Sequence, residues 1–325
     1  MSNQNVPEEQ TPSLPVTRSQ PNSVLADKFF RFGLTLSAAL ILVILIAMVA
    51  VMIHSSWLSI QAFGFHFIIG QVWDPIKEEF GALPFIFGTI ASSLIAITIA
   101  TPISVGVAIF LVEQAPKSIA RPMAFLVELL AAIPSVVYGL WAIFVLAPFL
   151  RVYVQPTLQG AFGFLPFFKG TPTGIGMLTG GIILAIMITP IITAVVRDVL
   201  EAVPVPQREA SLALGATKWE TTRIVLANAA SGIAGAIVLG LGRAIGETMA
   251  VTMIIGNRPE ISASLFDPAY TIASVIANEF TEATGDLYLS ALIEMGLILF
   301  LVTFIINGLA KGLIFSVTRK TAQGQ

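Results

Sequence analysis

The sequence of 325 residues contains no cysteine and only two histidines, His54 and His66. Disulfides, thiolate nucleophiles and thiol metal sites are therefore excluded, and two histidines are too few for a histidine-based metal centre. Charged residues are also scarce, at 11% of the chain, whereas soluble domains carry about 25%. This composition excludes a soluble enzyme, a disordered chain and a nucleic-acid-binding protein. The chain also lacks the G-x-x-x-x-G-K-[ST] segment of a P-loop, so we expect no nucleotide site and no cofactor.

Apolar residues are abundant, at 56% of the chain, and the mean hydropathy is +0.88. A helix needs ~20 residues to cross a bilayer, and six apolar runs meet this requirement. We predict spans over residues 32–53, 84–112, 123–150, 174–196, 233–256 and 289–315. Backbone polar groups inside a bilayer must be paired within the segment, which predicts an all-α membrane protein with six transmembrane helices. Residues 1–27 are polar and contain four prolines, which predicts a disordered tail.

The basic residues are distributed unevenly between the two sets of loops. Twelve Lys and Arg residues lie in the N-terminal tail, residues 113–122, residues 197–228 and the C-terminus. Only four lie in residues 54–83, 151–173 and 257–288. Because short basic loops remain on the cytoplasmic side, both termini are predicted to be cytoplasmic. The remaining basic residue, Arg243, lies inside a predicted span.

The longest predicted cytoplasmic loop, residues 203–228, has the pattern of a folded helical segment. A Val-Pro-Val-Pro connector precedes a predicted short helix at 207–214, and Gly215 is a typical helix stop. A second short helix is predicted at about 217–226. Such a segment between two spans either lies on the lipid surface as an amphipathic helix or docks onto a cytoplasmic partner.

The fifth predicted span carries Arg243 and Glu247 in an otherwise apolar run. A charge at the bilayer centre costs about 2.5–3.5 kcal/mol on insertion scales, which points to a function. Residues four apart share a helix face and can form an ion pair, while Gly242 and Gly246 allow another helix to approach. The pair either locks helices together or places an arginine where it can bind an oxyanion in a translocation path.

Four segments together carry a resemblance to one family. They are R-E-A-S-L-A-L-G-A-T-K-W-E at 208–220, T-P-I-S-V-G-V-A-I-F-L at 101–111, E-L-L-A-A-I-P-S-V-V-Y-G-L-W at 128–141 and G-L-G-R-A-I-G-E-T-M-A-V-T-M-I-I-G-N at 240–257. The chain resembles the permease subunits of ATP-driven phosphate importers of the ABC class, and the PstC type more than the PstA type. It departs from the usual family pattern after the loop, where Ala227-Asn228 stands in place of a proline.

The resemblance implies the type I importer (MetI-like) permease fold. Its parts would be a first transmembrane helix with an outer loop at 28–83, a five-helix core at 84–318 and a cytoplasmic tail at 319–325. The implied location is the prokaryotic cytoplasmic (inner) membrane. The implied partners are a second permease of the PstA type, a cytoplasmic ATPase dimer of the PstB type and an extracytoplasmic phosphate-binding protein of the PstS type. The chain itself would be a transport subunit and not an enzyme, since the partner ATPase hydrolyses the ATP.

The same resemblance implies two groups of site residues. The predicted substrate path contains Arg243, Glu247 and Thr248. The predicted coupling surface for the ATPase contains Arg208, Glu209, Ala210 and Gly215.

Other functions fit parts of the pattern. The same architecture could transport molybdate, sulfate or phosphonate in place of phosphate. A passive anion channel would not need the coupling loop, and an intramembrane enzyme would need a catalytic pair that the spans lack. Glu128 and Glu294 are predicted to be intramembrane acids that are protonated, paired across helices or close to an interface.

Overall fold

The computed structural model of the chain describes residues 21–323, with side chains described between residues 26 and 312. Residues 1–20 of the predicted tail and residues 324–325 lie outside the described residues. The chain divides into two compact units, residues 1–51 and residues 52–325. The described part of the first unit belongs to one helix, α1 (Pro21–Ser55). This helix begins within the predicted tail, six residues before its expected end.

In the described residues of the second unit, the named secondary-structure elements are helices and the two short strands of one hairpin. Its elements are α2 (Trp57–Phe63), α3 (His66–Ile69), β1 (Trp73–Asp74), β2 (Glu79–Phe80), α4 (Leu83–Ile109), α5 (Lys117–Ala131), α6 (Ser135–Trp141), α7 (Ala147–Phe149), α8 (Gln155–Phe162), α9 (Met177–Glu201), α10 (Val205–Ala213), α11 (Lys218–Ile245), α12 (Met249–Thr252), α13 (Ile272–Glu279) and α14 (Asp286–Gln323). A π-helical turn, Phe110–Gln114, extends α4. Two further π-helical turns, Ala142–Leu146 and Leu150–Val154, join α6, α7 and α8 into one rod.

Six helices among the described residues are long and apolar enough to cross a membrane. They are Ala26–Ser55, Leu83–Gln114, Ser135–Phe162, Met177–Glu201, Lys218–Ile245 and Asp286–Gly312. The predicted number of spans is therefore confirmed. The predicted bounds of the third and fifth spans are wrong, for separate reasons.

The third span does not begin at residue 123, because the helix breaks before Pro134. α5 ends at Ala131, and Pro134 has an extended backbone (φ −59°, ψ 139°) before α6 begins. A proline disfavours the helical conformation in the residue before it, which accounts for the break. The span is Ser135–Phe162, so Arg151 lies within a helix and not in an outer loop.

The fifth span begins earlier and ends earlier than predicted. α11 is continuous from Lys218 to Ile245, so the predicted short helix at 217–226 forms its first turns. Its start is fixed by a capping box. The Thr217 hydroxyl accepts a hydrogen bond from the Glu220 amide, and the Glu220 carboxylate accepts one from the Thr217 amide.

The centre of the second unit is formed by α9 and the helices packed against it. α9 is the most deeply buried of the six spans, and Ile188 and Ile192 have no exposed surface. A β-carbon added to Gly240 of α11 would lie 2.6 Å from Cδ1 of Ile192, so the glycine allows close packing here. This contact fixes the position of Arg243, which follows Gly240 by less than one turn.

The hairpin before α4 is anchored by a buried polar contact. Trp73 Nε1 and the Tyr288 hydroxyl donate hydrogen bonds to Oε2 of Glu279 at 2.8 and 2.6 Å, and the Tyr270 hydroxyl donates to Oε1 at 3.3 Å. Burial raises the pKa of the Tyr270 hydroxyl, so this group remains a donor at neutral pH. The carboxylate therefore ties the hairpin to α13 and α14.

Candidate functional site

α11 ends two residues after Arg243. The amide of Gly246 donates to the carbonyl of Gly242 at 3.4 Å, and the chain then leaves the helix before α12 begins at Met249. The C-terminal end of a helix carries a partial negative charge that favours a cation in its last turn. The prediction that Arg243 lies in the middle of a longer helix is wrong, because Gly246 ends the helix. The arginine lies at the helix end, where the backbone stabilises its charge.

Arg243 and Glu247 form an ion pair across this helix end. Nη2 of Arg243 lies 3.5 Å from Oε2 of Glu247, which is longer than the usual charge-assisted hydrogen bond of about 2.7–2.9 Å. The Arg243 side chain is 51% exposed and that of Glu247 only 6%. The carboxylate is thus held inside the protein, while about half of the arginine side chain is exposed.

Thr248, the third predicted path residue, is half-buried and makes a local contact. Its hydroxyl donates to the carbonyl of Gly246 at 3.4 Å, and its own carbonyl accepts from the Thr252 hydroxyl at 2.6 Å. The structure therefore places Thr248 at the turn between α11 and α12. It makes no hydrogen bond to the carboxylate of Glu247 among the described residues.

A cavity of about 560 Å³ lies beside the exposed guanidinium. Its apolar wall includes Ile191 of α9 and Val238 of α11. Its polar lining comes from Arg243 and from two residues of α14, Asn307 and Lys311. The volume falls in the range of small-molecule sites, about 300–1,000 Å³. The arrangement therefore presents two cations and an amide to one space between helices.

Asn307 and Lys311 are not among the site residues predicted from the sequence. Lys311 is predicted to belong to the C-terminal segment, although it lies within the sixth span. One signal was available, because residues 307 and 311 are four apart and share a helix face. The proximity of that face to Arg243 depends on how α14 packs against α11, and the sequence does not show this.

The predicted coupling loop forms a helix, a turn and the start of α11. α10 is followed by Gly215 in the left-handed region (φ +88°), a conformation that glycine adopts at the least cost. The hydroxyls of Ser211 and Thr221 lie 3.1 Å apart and join α10 to α11. The predicted helix with a glycine stop is thus present, and the second helix of the loop is continuous with the span.

Arg208 faces the interior of the protein. Its Nε and Nη2 donate to Oε1 of Glu113 at 3.1 and 3.0 Å, and Nη2 also donates to the carbonyl of Leu200 at 2.8 Å. The side chains of Arg208 and Glu113 are only 18% and 12% exposed. Arg208 therefore holds α10 against the ends of α4 and α9, and its guanidinium does not point to solvent as a partner contact requires.

The other predicted coupling residues lie on the surface. Glu209, Ala210 and Gly215 are exposed, and no described ion pair involves Glu209. Leu214 is 89% exposed and Trp219 is 60% exposed. These five residues, named here the loop face, combine an exposed carboxylate with the apolar area of Leu214 and Trp219, and aromatic residues such as Trp219 are enriched at protein contacts.

Comparison with known proteins assigns the chain to a family. Residues 100–319 match the family described as binding-protein-dependent transport system inner membrane component. The chain belongs to this family. The match includes both the loop face and Arg243, so the two parts of the candidate site lie in the region that defines the permease family.

The permease is similar over nearly its whole length to proteins named phosphate transport system permease protein PstC. It is 46% identical to the protein of Mesorhizobium japonicum over 319 residues, covering 95% of this chain and 98% of that protein. It is 45% identical to the Pasteurella multocida protein, covering 92% and 95%. It is 44% identical to the Haemophilus influenzae protein, covering 91% and 95%. The predicted resemblance to PstC-type permeases is confirmed.

One solved structure supports the fold. An inward-facing conformation of the MetNI methionine ABC transporter matches with a TM-score of 0.53 and 19% identity, covering 76% of this chain and 100% of that chain. At this identity the match concerns the fold alone. The predicted type I importer permease fold is confirmed, and the permease is a multi-pass membrane protein. The side on which the termini lie stays a prediction.

The two acids that sequence analysis placed inside the membrane differ in the structure. Glu128 lies on α5, outside the six spans, where its carboxylate is 2.9 Å from Nη1 of Arg197. Its predicted position within the third span is wrong, because the break at Pro134 removes α5 from that span. Pairing across helices, one of the predicted alternatives, is present, since Arg197 belongs to α9. Glu294 lies within the sixth span and is 6% exposed. Neither residue contacts the cavity beside Arg243.

Proposed function

We propose that the permease is a membrane subunit of an ATP-driven importer of inorganic phosphate. The observation that carries this proposal is its 46% identity, over 95% of the chain, to a phosphate transport system permease. The exposed guanidinium of Arg243 beside a cavity gives the proposal a chemical basis, because a guanidinium can form two parallel hydrogen bonds to an oxyanion. The cation replaces part of the water that an anion loses on entering the membrane.

The proposed complex contains partners that supply the functions this chain lacks. A second permease of the PstA type would complete the path, an ATPase of the PstB type would hydrolyse ATP, and a binding protein of the PstS type would deliver phosphate. The family description, which includes dependence on a binding protein, supports this assembly. The exposed loop face provides the area on which an ATPase could bind.

Within this assembly we assign different roles to the coupling residues. Glu209, Ala210 and Gly215 would contact the ATPase because they are exposed. Arg208 would act as a positioning residue, because its ion pair to Glu113 fixes α10 relative to α4. Movement of the ATPase would then be transmitted through α10 to the ends of the spans.

An importer of molybdate, sulfate or phosphonate is the second candidate. One observation keeps it open: a guanidinium binds many tetrahedral oxyanions and does not by itself select phosphate. The relatives named for phosphate transport favour phosphate.

The test is uptake by the reconstituted complex of both permeases, the ATPase and the binding protein. We expect ATP-dependent uptake of phosphate, and none of sulfate or molybdate. Arg243→Gln should reduce phosphate uptake at least a hundredfold in a fully assembled complex. Arg258→Gln is the matched control, since Arg258 is 61% exposed and pairs only with Glu260. Normal uptake by Arg243→Gln would overturn the path role, and selective uptake of sulfate or molybdate would overturn the substrate.

A further inference from the structure

We propose that Lys311 and Asn307 of α14 complete, with Arg243 of α11, a binding site for a tetrahedral oxyanion inside the permease. The inference rests on the proposed function and extends it from one arginine to a site with two helices. It assigns binding roles to two residues that the resemblance to known permeases does not single out.

The geometry brings the three side chains to one space. Arg243, Asn307 and Lys311 all line the cavity of about 560 Å³. α11 and α14 approach each other here, because a β-carbon added to Gly242 would lie 3.8 Å from Nδ2 of Asn307. This is an ordinary van der Waals distance, so the amide of Asn307 lies directly against the last turns of α11, which carry Arg243.

The amide oxygen of Asn307 has no partner in the described part of the protein. Its Oδ1 atom is buried and accepts no hydrogen bond from a described residue. A buried polar group without a partner is uncommon in folded proteins and indicates a ligand, an ion or a water. Rotation about the last side-chain bond exchanges the oxygen and the nitrogen of an amide, so Asn307 can direct an N–H donor at an anion.

The cavity also carries more positive than negative charge. Lys311 forms no ion pair with any described carboxylate, and Arg243 has only the 3.5 Å contact to Glu247. A lysine within a span is costly when its charge is unbalanced. Arg243 and Lys311 together with the carboxylate of Glu247 leave one net positive charge, which an anion with one negative charge would balance.

The three groups suit the shape of a tetrahedral oxyanion. The guanidinium of Arg243 offers two parallel donors, the ammonium of Lys311 offers a compact charge, and the amide of Asn307 offers a neutral donor. They project from two different helices, so a change in the distance between α11 and α14 would weaken all three contacts together. A site of this kind would bind the anion in one state of the transporter and release it in another.

The alternative is that Lys311 extends towards the membrane surface and stabilises only the position of α14. The two roles differ in what they predict for charge. If Lys311 binds the anion, phosphate uptake needs either lysine or arginine at residue 311. A negative charge at residue 307 should then lower uptake, because it repels the anion. A positional role leaves transport intact once the complex has assembled.

The experiment compares variants of the reconstituted complex, using radioactive inorganic phosphate as the probe. We expect Lys311→Gln to lower phosphate uptake at least tenfold in a complex that assembles normally. Lys311→Arg should retain at least half of the uptake. Asn307→Asp, which changes the shape little and adds a negative charge, should also lower uptake at least tenfold. Lys169→Gln is the matched control, since Lys169 is exposed and far along the chain from the cavity.

The outcomes separate this inference from the proposed function. If the Lys311→Gln or Asn307→Asp complex assembles and takes up phosphate normally, the proposed binding site of Arg243, Asn307 and Lys311 is wrong. If Arg243→Gln abolishes uptake in the same assay, the proposed function remains supported even though the three-residue binding site is wrong. If the unaltered complex transports no phosphate, the proposed function itself fails. If Lys311→Gln does not assemble, the rates of Lys311→Arg and Asn307→Asp decide the question in the same way.

Discussion

The carboxylate of Glu113 accepts two hydrogen bonds from the guanidinium of Arg208, at 3.1 and 3.0 Å. The two residues are 95 positions apart and belong to the π-helical turn after α4 and to α10. Their ion pair joins the coupling loop to the end of the second span. It makes the position of the loop face dependent on the position of α4.

We expect Arg208→Gln to separate ATP hydrolysis from transport. The change leaves Glu113 unpaired in a largely buried position, which costs about 3–5 kcal/mol, and it frees α10 from α4. Phosphate uptake should fall at least tenfold, while the complex that contains the variant still hydrolyses ATP. Uptake and ATP hydrolysis measured on the same reconstituted complex check this. Arg223→Gln is the control, because Arg223 is exposed and has no described ion pair; coupled transport by Arg208→Gln would contradict the prediction.

Glu247→Gln should impair uptake although it keeps the size of the side chain. The buried carboxylate is the described counter-charge of Arg243. Without it, Arg243 should bind the oxyanion too firmly for rapid release. We expect uptake to fall at least tenfold, and the double variant with Arg243→Gln to be no worse than Arg243→Gln alone. Glu260→Gln, at an exposed carboxylate, is the control. Additive losses in the double variant would show that the two residues act independently.

Gly215→Ala should weaken the loop through backbone conformation alone. Gly215 has φ +88°, and no atom lies within 4 Å of an added β-carbon, so a steric clash with a neighbour is excluded. Holding alanine in this region costs about 1–2 kcal/mol, and the turn between α10 and α11 should relax. We expect reduced uptake and reduced cross-linking of a cysteine at Leu214 to the ATPase. Gly106→Ala in α4, which also has open space around it, should leave both unchanged.

Gly88→Ala should destabilise the helix packing near α13. A β-carbon there would lie 2.1 Å from the carbonyl oxygen of Tyr270, and a backbone atom cannot move aside as a flexible side chain does. Overpacking of this kind costs about 1–3 kcal/mol, which should appear as a lower Tm in detergent. An unchanged Tm would contradict the prediction, because it would show that the backbone near Gly88 and Tyr270 shifts to accommodate the added methyl group at no cost. Gly106→Ala again provides the comparison within the same helix.

The predicted orientation can be tested directly because the chain contains no cysteine. Ile76, at the tip of the hairpin, is 95% exposed, and Leu214, on the loop face, is 89% exposed. In intact cells an impermeant thiol reagent should label a cysteine at residue 76 and leave one at residue 214 unlabelled. Opening the cells should expose the second site. The reverse pattern would overturn the prediction that both termini are cytoplasmic.

The sequence predicted the features that depend on composition and on neighbouring residues. Apolar runs long enough to cross a bilayer predicted six spans, because a membrane accepts few other segments. The helix stop at Gly215 and the charged pair at Arg243 and Glu247 were also evident, since each involves residues close together in the chain. The identity of the family followed from the joint presence of four such segments.

Tertiary structure decided the features that join distant residues. The helix break near Pro134 separates α5 from the third span. The helix end at Gly246 places Arg243 in the last turn of α11. Arg208 is predicted from the sequence to lie on the coupling surface, but its side chain forms an ion pair with Glu113 inside the protein.

The presence of Lys311 and Arg243 in one cavity was decided in the same way. The sequence by itself determined the number of membrane-spanning helices and the local pair of charges at Arg243 and Glu247. Only the packing of the helices determined which of those charges meet, because the strength of an ionic contact depends on distance in space and not on separation along the chain.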